Sequence, residues 1–150
     1  MDNSFLNRIG PQIKVANTLI EKKLNNRIAN LISDYNLTGP QISLMVYLYE
    51  ARERTVTQKE VADTFVLSHP TIRSIVRRME KSGLIEVGHL KSDRRQISLS
   101  LSKKGFKLLN EHISEIYAVM NDVNHQITHG LDEGETKKLS EILAKIIQNF

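Results

Sequence analysis

The 150-residue chain contains no cysteine. Neither a disulfide nor a thiol sensor can operate in it, and a thiolate metal site is excluded. No apolar run approaches the length of a membrane span. The polar start Met1-Asp2-Asn3-Ser4 lacks the hydrophobic stretch of a signal peptide, so no membrane association is expected and cytoplasm is the default location. There is no internal repeat, no low-complexity segment and no linker rich in Gly, Pro or Ser. A Gly-rich phosphate loop, a nucleophile elbow and an HExxH motif are also missing, and the acidic residues are scattered over helix surfaces. Those absences argue against an enzyme and give no reason to expect a cofactor. The length is that of one domain, large enough to bury a core without staples.

What is present is an uneven distribution of charge. Residues 54–104 carry eleven Lys or Arg and five Asp or Glu, a net of +6, whereas the rest of the chain stands at −2. A basic centre between mildly acidic ends points to a polyanion partner for the middle alone. Within that centre Ile72, Ile75, Val76 and Met79 recur at helical spacing and define an apolar stripe. Arg73, Arg77, Arg78 and Lys81 lie around the other side with Glu80 as their one acidic neighbour. Ser68 is a good N-cap and Pro70 fits a first turn, so the helix is expected to start near His69.

After Gly83, a plausible helix terminator, Leu84–Val87 and Ile97–Leu101 show the alternation of half-buried strands. The connection His89–Arg95 is longer than a tight turn needs and sets Lys91, Arg94 and Arg95 against Asp93. A basic helix for the major groove followed by a basic-tipped ribbon for the minor groove is a DNA reader's layout. Read more plainly, these are a charged surface helix and a solvated hairpin loop.

Three capping boxes mark helix starts: Thr38 with Gln41, Thr57 with Glu60, and Asp132 with Glu135. The second opens a short helix through Val61, Ala62 and Phe65, and a brief Val66-Leu67 turn leads into the arginine helix, which is the helix-turn-helix arrangement. Upstream, Pro11 is expected to open a long helix with Ile13, Ala16, Ile20, Leu24, Ile28 and Leu31 on its apolar side. Downstream, Phe106, Leu109, Ile113, Ile116, Met120, Val123 and Ile127 keep an a/d spacing over three heptads, and a last helix carries Leu139, Ile142, Leu143, Ile146, Ile147 and Phe150. These flanking helices offer more apolar length than a small winged core can cover, which suggests a second copy in a two-fold dimer; a monomeric bundle is the alternative.

The stretches LTGPQ (Leu37 to Gln41), TQKEVADTF (Thr57 to Phe65), LSHPTI before the arginines, EKSGLIE (Glu80 to Glu86) and DRRQISLSLSKKG (Asp93 to Gly105) together resemble the MarR family of winged helix-turn-helix transcription regulators. The resemblance covers nearly all of the chain, and the wing motif is its most specific part. It implies a mainly α fold with a small antiparallel β wing: a winged helix-turn-helix over about 37–104, flanked by dimerisation helices at about 5–35 and 106–150, all one domain. It implies a homodimer on a pseudopalindromic operator in double-stranded DNA, and repression relieved by a small-molecule inducer.

By motif position Ser68, His69, Pro70, Thr71, Arg73, Ser74, Arg77 and Arg78 would face the major groove, while Lys91, Arg94 and Arg95 would serve the wing. Thr57 and Gln58 would donate to phosphate at a helix N-terminus. Asp93 is read as orienting Arg95 through an ion pair, with a loop-turn aspartate as the alternative. Three departures from the family pattern stand out. Arg73-Ser74 replaces the more usual Thr then Arg, so base preference does not transfer; Val87 and Gly88 occupy positions often basic in relatives; and Val66 stands where Gly is frequent, so φ is expected to stay negative there. Tyr35, Tyr47 and Tyr117 could lend polar tips to an inducer cleft, although each is as readily a packed core tyrosine. Two rival functions remain: a metal-responsive regulator using Asp122, His125 and His129 on one helix face, and a winged module used only for protein contacts.

Overall fold

Local capping chemistry sets where most of the helices begin. In the computed structural model, which describes residues 4–150, Gln41 Oε1 accepts the Thr38 N–H at 3.0 Å. Asp132 and Glu135 exchange both bonds of their box at 2.9 and 2.8 Å. The Thr57 box forms only in part. Thr57 Oγ1 accepts from the Glu60 N–H at 3.1 Å, but the Glu60 carboxylate is taken by Arg54 Nη1, 2.6 and 3.0 Å from its two oxygens. A charged donor outcompetes a neutral backbone N–H for the same carboxylate.

The elements run α1 (Ile9–Leu31), α2 (Gly39–Glu50), β1 (Val56–Thr57), α3 (Gln58–Thr64), α4 (His69–Lys81), β2 (Ile85–His89), β3 (Ile97–Leu101), α5 (Lys103–Ile127) and α6 (Glu133–Gln148). The mainly α fold with a small antiparallel sheet agrees with the sequence reading, and α4 starts at His69 as expected. Pro11 falls in the first turn of α1, but that helix begins two residues earlier, at Ile9. The start Met1-Asp2-Asn3 lies outside the described residues.

The sheet has a strand that the sequence did not announce. Its order is β1-β3-β2, all antiparallel, with Val56 opposite Leu99 and Val87 opposite Leu99 on the other side. The ribbon also extends further than expected. His89 pairs with Ile97, and the Leu90 N–H donates to the Gln96 carbonyl at 3.1 Å, which shortens the open tip to Lys91–Arg95. Leu84 lies before the strand and is fully buried.

α3 and α4 end in the same way. At the end of α4 the Leu84 N–H reaches the Met79 carbonyl and the Gly83 N–H reaches that of Glu80, at 3.1 and 2.9 Å, with Gly83 at φ +75°. At the end of α3 the Leu67 N–H reaches Ala62 and the Val66 N–H reaches Asp63, at 2.8 and 3.3 Å. Both are Schellman motifs, which need a left-handed residue between helix and exit. Val66 supplies it at φ +53°, so the expectation of a negative φ there is wrong. The two bonds that satisfy the carbonyls of α3 outweigh the crowding of a β-branched side chain.

Ser102 and Gly105 join the wing to α5. The Ser102 hydroxyl donates to the Gly83 carbonyl at 2.5 Å and accepts from the Gly105 N–H at 3.0 Å. Gly105 is buried, and a Cβ there would run into the Leu84 carbonyl. The Ser-Lys-Lys-Gly motif is thus a helix cap whose serine also ties off the end of α4.

The chain forms two compact units, one comprising the chain up to Leu24 with Tyr117–Phe150, the other Asn25–Ile116. The second holds most of the buried core, including Leu44, Met45, Val61, Ile72, Met79, Leu84 and Leu109. Of the heptad stripe in α5, Leu109, Ile116 and Val123 are buried together with Val119, whereas Phe106, Met120 and Ile127 are about 40 % exposed. Helix α6 buries no residue, and Ile142, Leu143 and Ile147 are exposed. Of α1, Ile28 is buried, while Ile9, Ile13, Val15 and Leu19 are exposed.

Candidate nucleic-acid interface

Helix α4 is anchored on one side and open on the other. Ile72, Val76 and Met79 are buried, with Ile75 partly so, while Arg73, Ser74, Arg77, Arg78 and Lys81 are exposed. Ser68 caps the helix, its Oγ accepting from the Thr71 N–H at 3.3 Å and lying 2.8 Å from the Thr71 hydroxyl. His69, Pro70 and Thr71 are exposed at this end. Among the described residues Arg73, Arg77, Arg78 and Lys81 have no side-chain hydrogen bond or ion pair, so four cations stand in water without a partner.

At the wing tip Lys91 and Arg94 are equally exposed, and with His89 and Leu90 they line an open depression of about 520 Å³. Arg95 differs. Asp93 Oδ1 accepts from its backbone N–H at 3.1 Å and from its Nε at 3.2 Å, while Gln96 donates to Oδ2 at 3.4 Å. Both readings of Asp93 are therefore realised: it closes the turn and pairs with the arginine. The Arg95 backbone N–H, then the Arg95 side chain, then the Gln96 amide hold the Asp93 carboxyl below the usual range. The Arg95 side chain still projects, 92 % exposed.

Thr57 and Gln58 at the start of α3 are half-buried. Thr57 Oγ1 is committed as an acceptor to Glu60 but keeps its own proton to donate. Arg54, which the sequence reading passed over, fixes this corner. It donates to both oxygens of Glu60, to the Thr55 carbonyl at 3.3 Å and to the Tyr47 hydroxyl at 3.3 Å. The hydrogen bond to Glu60, then that to Tyr47, raises the Arg54 pKa further. Tyr47 is thus engaged, with its ring edge-on to Phe65 at 5.6 Å, and Tyr35 lies under Lys104 Nζ at 5.1 Å. Neither is offered to a cleft by these contacts.

The metal cluster does not assemble. α5 ends at Ile127 and Gly130 turns the chain at φ +86°, so His129 is not on the helix that carries Asp122 and His125. Among the described residues no group of three or more His, Asp or Glu side chains is placed to hold a metal ion.

The model of the MarR family matches residues 35–96, the span from shortly before α2 through the wing tip. The structure of the transcription regulator MarR from Oenococcus oeni PSU-1 superposes with a TM-score of 0.71 at 26 % identity, covering 94 % of this chain and 99 % of that one. Over residues 35–96 the chain is similar to the MarR family, and its fold is that of a MarR regulator. Among curated relatives, the HTH-type transcriptional repressor YetL of Bacillus subtilis (strain 168) is 23 % identical over 111 residues. That match covers 71 % of this chain and 66 % of the relative, just under two thirds of its length. The S. aureus MepR-DNA complex shares the fold of this chain, with a TM-score of 0.79 at 19 % identity over 95 % of this chain and 98 % of that one.

Proposed function

We propose that this chain is a MarR-family, sequence-specific transcription regulator that binds double-stranded DNA as a homodimer. The observation that carries the reading is the set of exposed, unpartnered cations on α4 and the wing, next to a helix N-terminus that presents His69, Pro70 and Thr71. Charges left unpaired in the free protein have partners to gain from phosphates and base edges. The match to the MarR family model, the DNA complex of MepR and the repressor name of YetL support the same reading.

In the proposed complex α4 enters the major groove. Ser68, His69, Pro70, Thr71, Arg73, Ser74, Arg77 and Arg78 face bases and flanking phosphates, Lys91, Arg94 and Arg95 reach the minor groove, and Thr57 and Gln58 hold a phosphate. A second copy is supported by the exposed apolar residues Phe5, Leu6 and Ile9 and by α6, a 16-residue helix that buries nothing in the single chain. Two recognition helices about 34 Å apart would then meet one face of the duplex. The regulator is proposed to repress, with relief by a small molecule, as the family resemblance implies. Salt dependence of operator binding tests the electrostatic part. With about four phosphates neutralised per subunit, log K falls against log salt with a slope of about −7; a slope near zero contradicts the reading.

A further inference from the structure

Just past α4 the carbonyls of Ser82, Gly83 and Leu84 follow one another, and all three accept hydrogen bonds from the segment that opens α5. Lys104 Nζ donates to Ser82 at 3.2 Å, the Ser102 hydroxyl to Gly83 at 2.5 Å and the Ser102 N–H to Leu84 at 3.1 Å. The two bonds from Ser102 belong to the cap of α5. The one from Lys104 does not. Lys104 is the second residue of α5, and the first turn of a helix exposes N–H donors and the positive end of its dipole, so an ammonium gains nothing from its own helix there. At the carbonyl end of α4 the same charge is favourable.

The side chain is also placed by its neighbours. It crosses Gly83, where a Cβ would meet its Nζ and Cδ at 3.9 and 4.0 Å. Its ammonium lies 5.1 Å from the centroid of the Tyr35 ring, in the single 3-10 turn Ser33–Tyr35 that follows α1. One cation thus touches the exit of α4, the start of α5 and the turn before α2, all within the Asn25–Ile116 unit. Ile72, Val76 and Met79 hold α4 down by apolar contact, which is non-directional. The bonds at its exit fix direction as well.

We infer that Lys104 is a positioning residue of the reader: by joining the exit of α4 to the Tyr35 turn and to α5, it sets the angle at which α4 is presented. The lever is long. The 13 residues of α4 span about 20 Å, so rocking the helix by ~10° about its exit moves its N-terminal end by ~3 Å. That is about the 3.4 Å rise of one base pair. Loss of Lys104 therefore blurs the half-site spacing that a dimer accepts and leaves the bases read within each half-site unchanged; this consequence rests on the proposed DNA function.

The first arm of the test needs no DNA. Backbone N–H residual dipolar couplings are measured on the full chain in a stretched polyacrylamide gel, for the parent, Lys104→Met, Lys104→Arg and Lys103→Met. In Lys104→Met the couplings of α4 should depart from the orientation that they share with α2 in the parent by a rotation of about 10°. Lys104→Arg keeps a cation that can donate to Ser82 and stack on Tyr35, and should keep the parent orientation. Lys103 is exposed with no side-chain hydrogen bond or ion pair among the described residues, so Lys103→Met removes the same charge and should leave α4 in place. The second arm uses the duplex that the parent selects from a random library, remade with one base pair added or removed between half-sites. A parent preference of about 10-fold for its own spacing should fall below about 3-fold in Lys104→Met, with the half-site sequence unchanged. Couplings of α4 that keep the parent orientation in Lys104→Met, an equal rotation in Lys103→Met, or an undiminished spacing preference overturns the inference. Failure of the parent to select any duplex overturns the DNA reading instead, and the couplings still decide whether Lys104 positions α4.

Discussion

Replacing Val66 with glycine is expected to stabilise the protein. Val66 adopts φ +53° and is 89 % exposed, so its side chain pays the crowding of the left-handed region and gains almost no packing in return. That crowding costs about 1–2 kcal/mol in an L-residue. Glycine gives back about 0.5–1 kcal/mol through its larger unfolded-state entropy, leaving a gain of about 0.5–1 kcal/mol. For a chain of this length the gain corresponds to a rise of roughly 1–4 °C in Tm.

Gly83→Val provides the mirror experiment. Gly83 holds the equivalent place in the other Schellman motif at φ +75°, and a Cβ there meets only the Lys104 side chain at 3.9 Å, an ordinary contact. Its loss should therefore equal the gain at Val66 to within a few tenths of a kcal/mol. Urea unfolding at fixed protein concentration, with the m-value checked for constancy, measures both. A Val66→Gly variant that is less stable than the parent would refute the assignment of strain to this turn.

Other perturbations separate the parts of the site. Arg77→Ala should weaken operator binding by about 1–3 kcal/mol and relax preference at one operator position if the side chain reads a base; a uniform loss across sequences in competition assays would make it a phosphate contact. Gly105→Ala forces a methyl into the Leu84 carbonyl and should cost about 1–3 kcal/mol in urea unfolding; an unchanged midpoint would mean that the start of α5 is free to shift. The depressed Asp93 carboxyl contributes to wing order above the ordinary aspartate range, near pH 3.9, and that contribution is lost as pH falls through its lower folded value. The Arg95 amide resonance should accordingly titrate with a midpoint below the usual aspartate value, and in Asp93→Asn that titration should disappear.

The sequence spoke most clearly where structure is decided locally. Ser68 and Asp132 cap the helices that follow them because the acceptor and its N–H partners lie three residues apart. The apolar stripe of α4 was legible for the same reason. Contacts between distant residues were not. The two-residue strand Val56–Thr57 exists because Leu99 and Ser98 pair with it, some forty residues downstream. Arg54 captures Glu60 from the capping box because the corner of α2 and β1 brings its guanidinium within 2.6 Å. Val66 is left-handed because two backbone bonds of α3 require it, against the preference of the residue itself. The wing's Asp-Arg pair was readable as a pair, but its second role, accepting the Arg95 N–H, belongs to the turn geometry. The Ser102 hydroxyl shows the same limit from another direction, since its acceptor, the Gly83 carbonyl, belongs to the end of another helix.

The central claim, a dimer that reads DNA sequence through α4 and the wing, is tested most directly by selecting bound duplexes from a random library with the purified protein at two salt concentrations, read by sequencing. The account predicts enrichment of an inverted repeat whose half-site centres lie about ten base pairs, one helical turn, apart. It is contradicted by salt-sensitive enrichment without any motif, which describes a non-specific binder, and by no enrichment at either salt concentration.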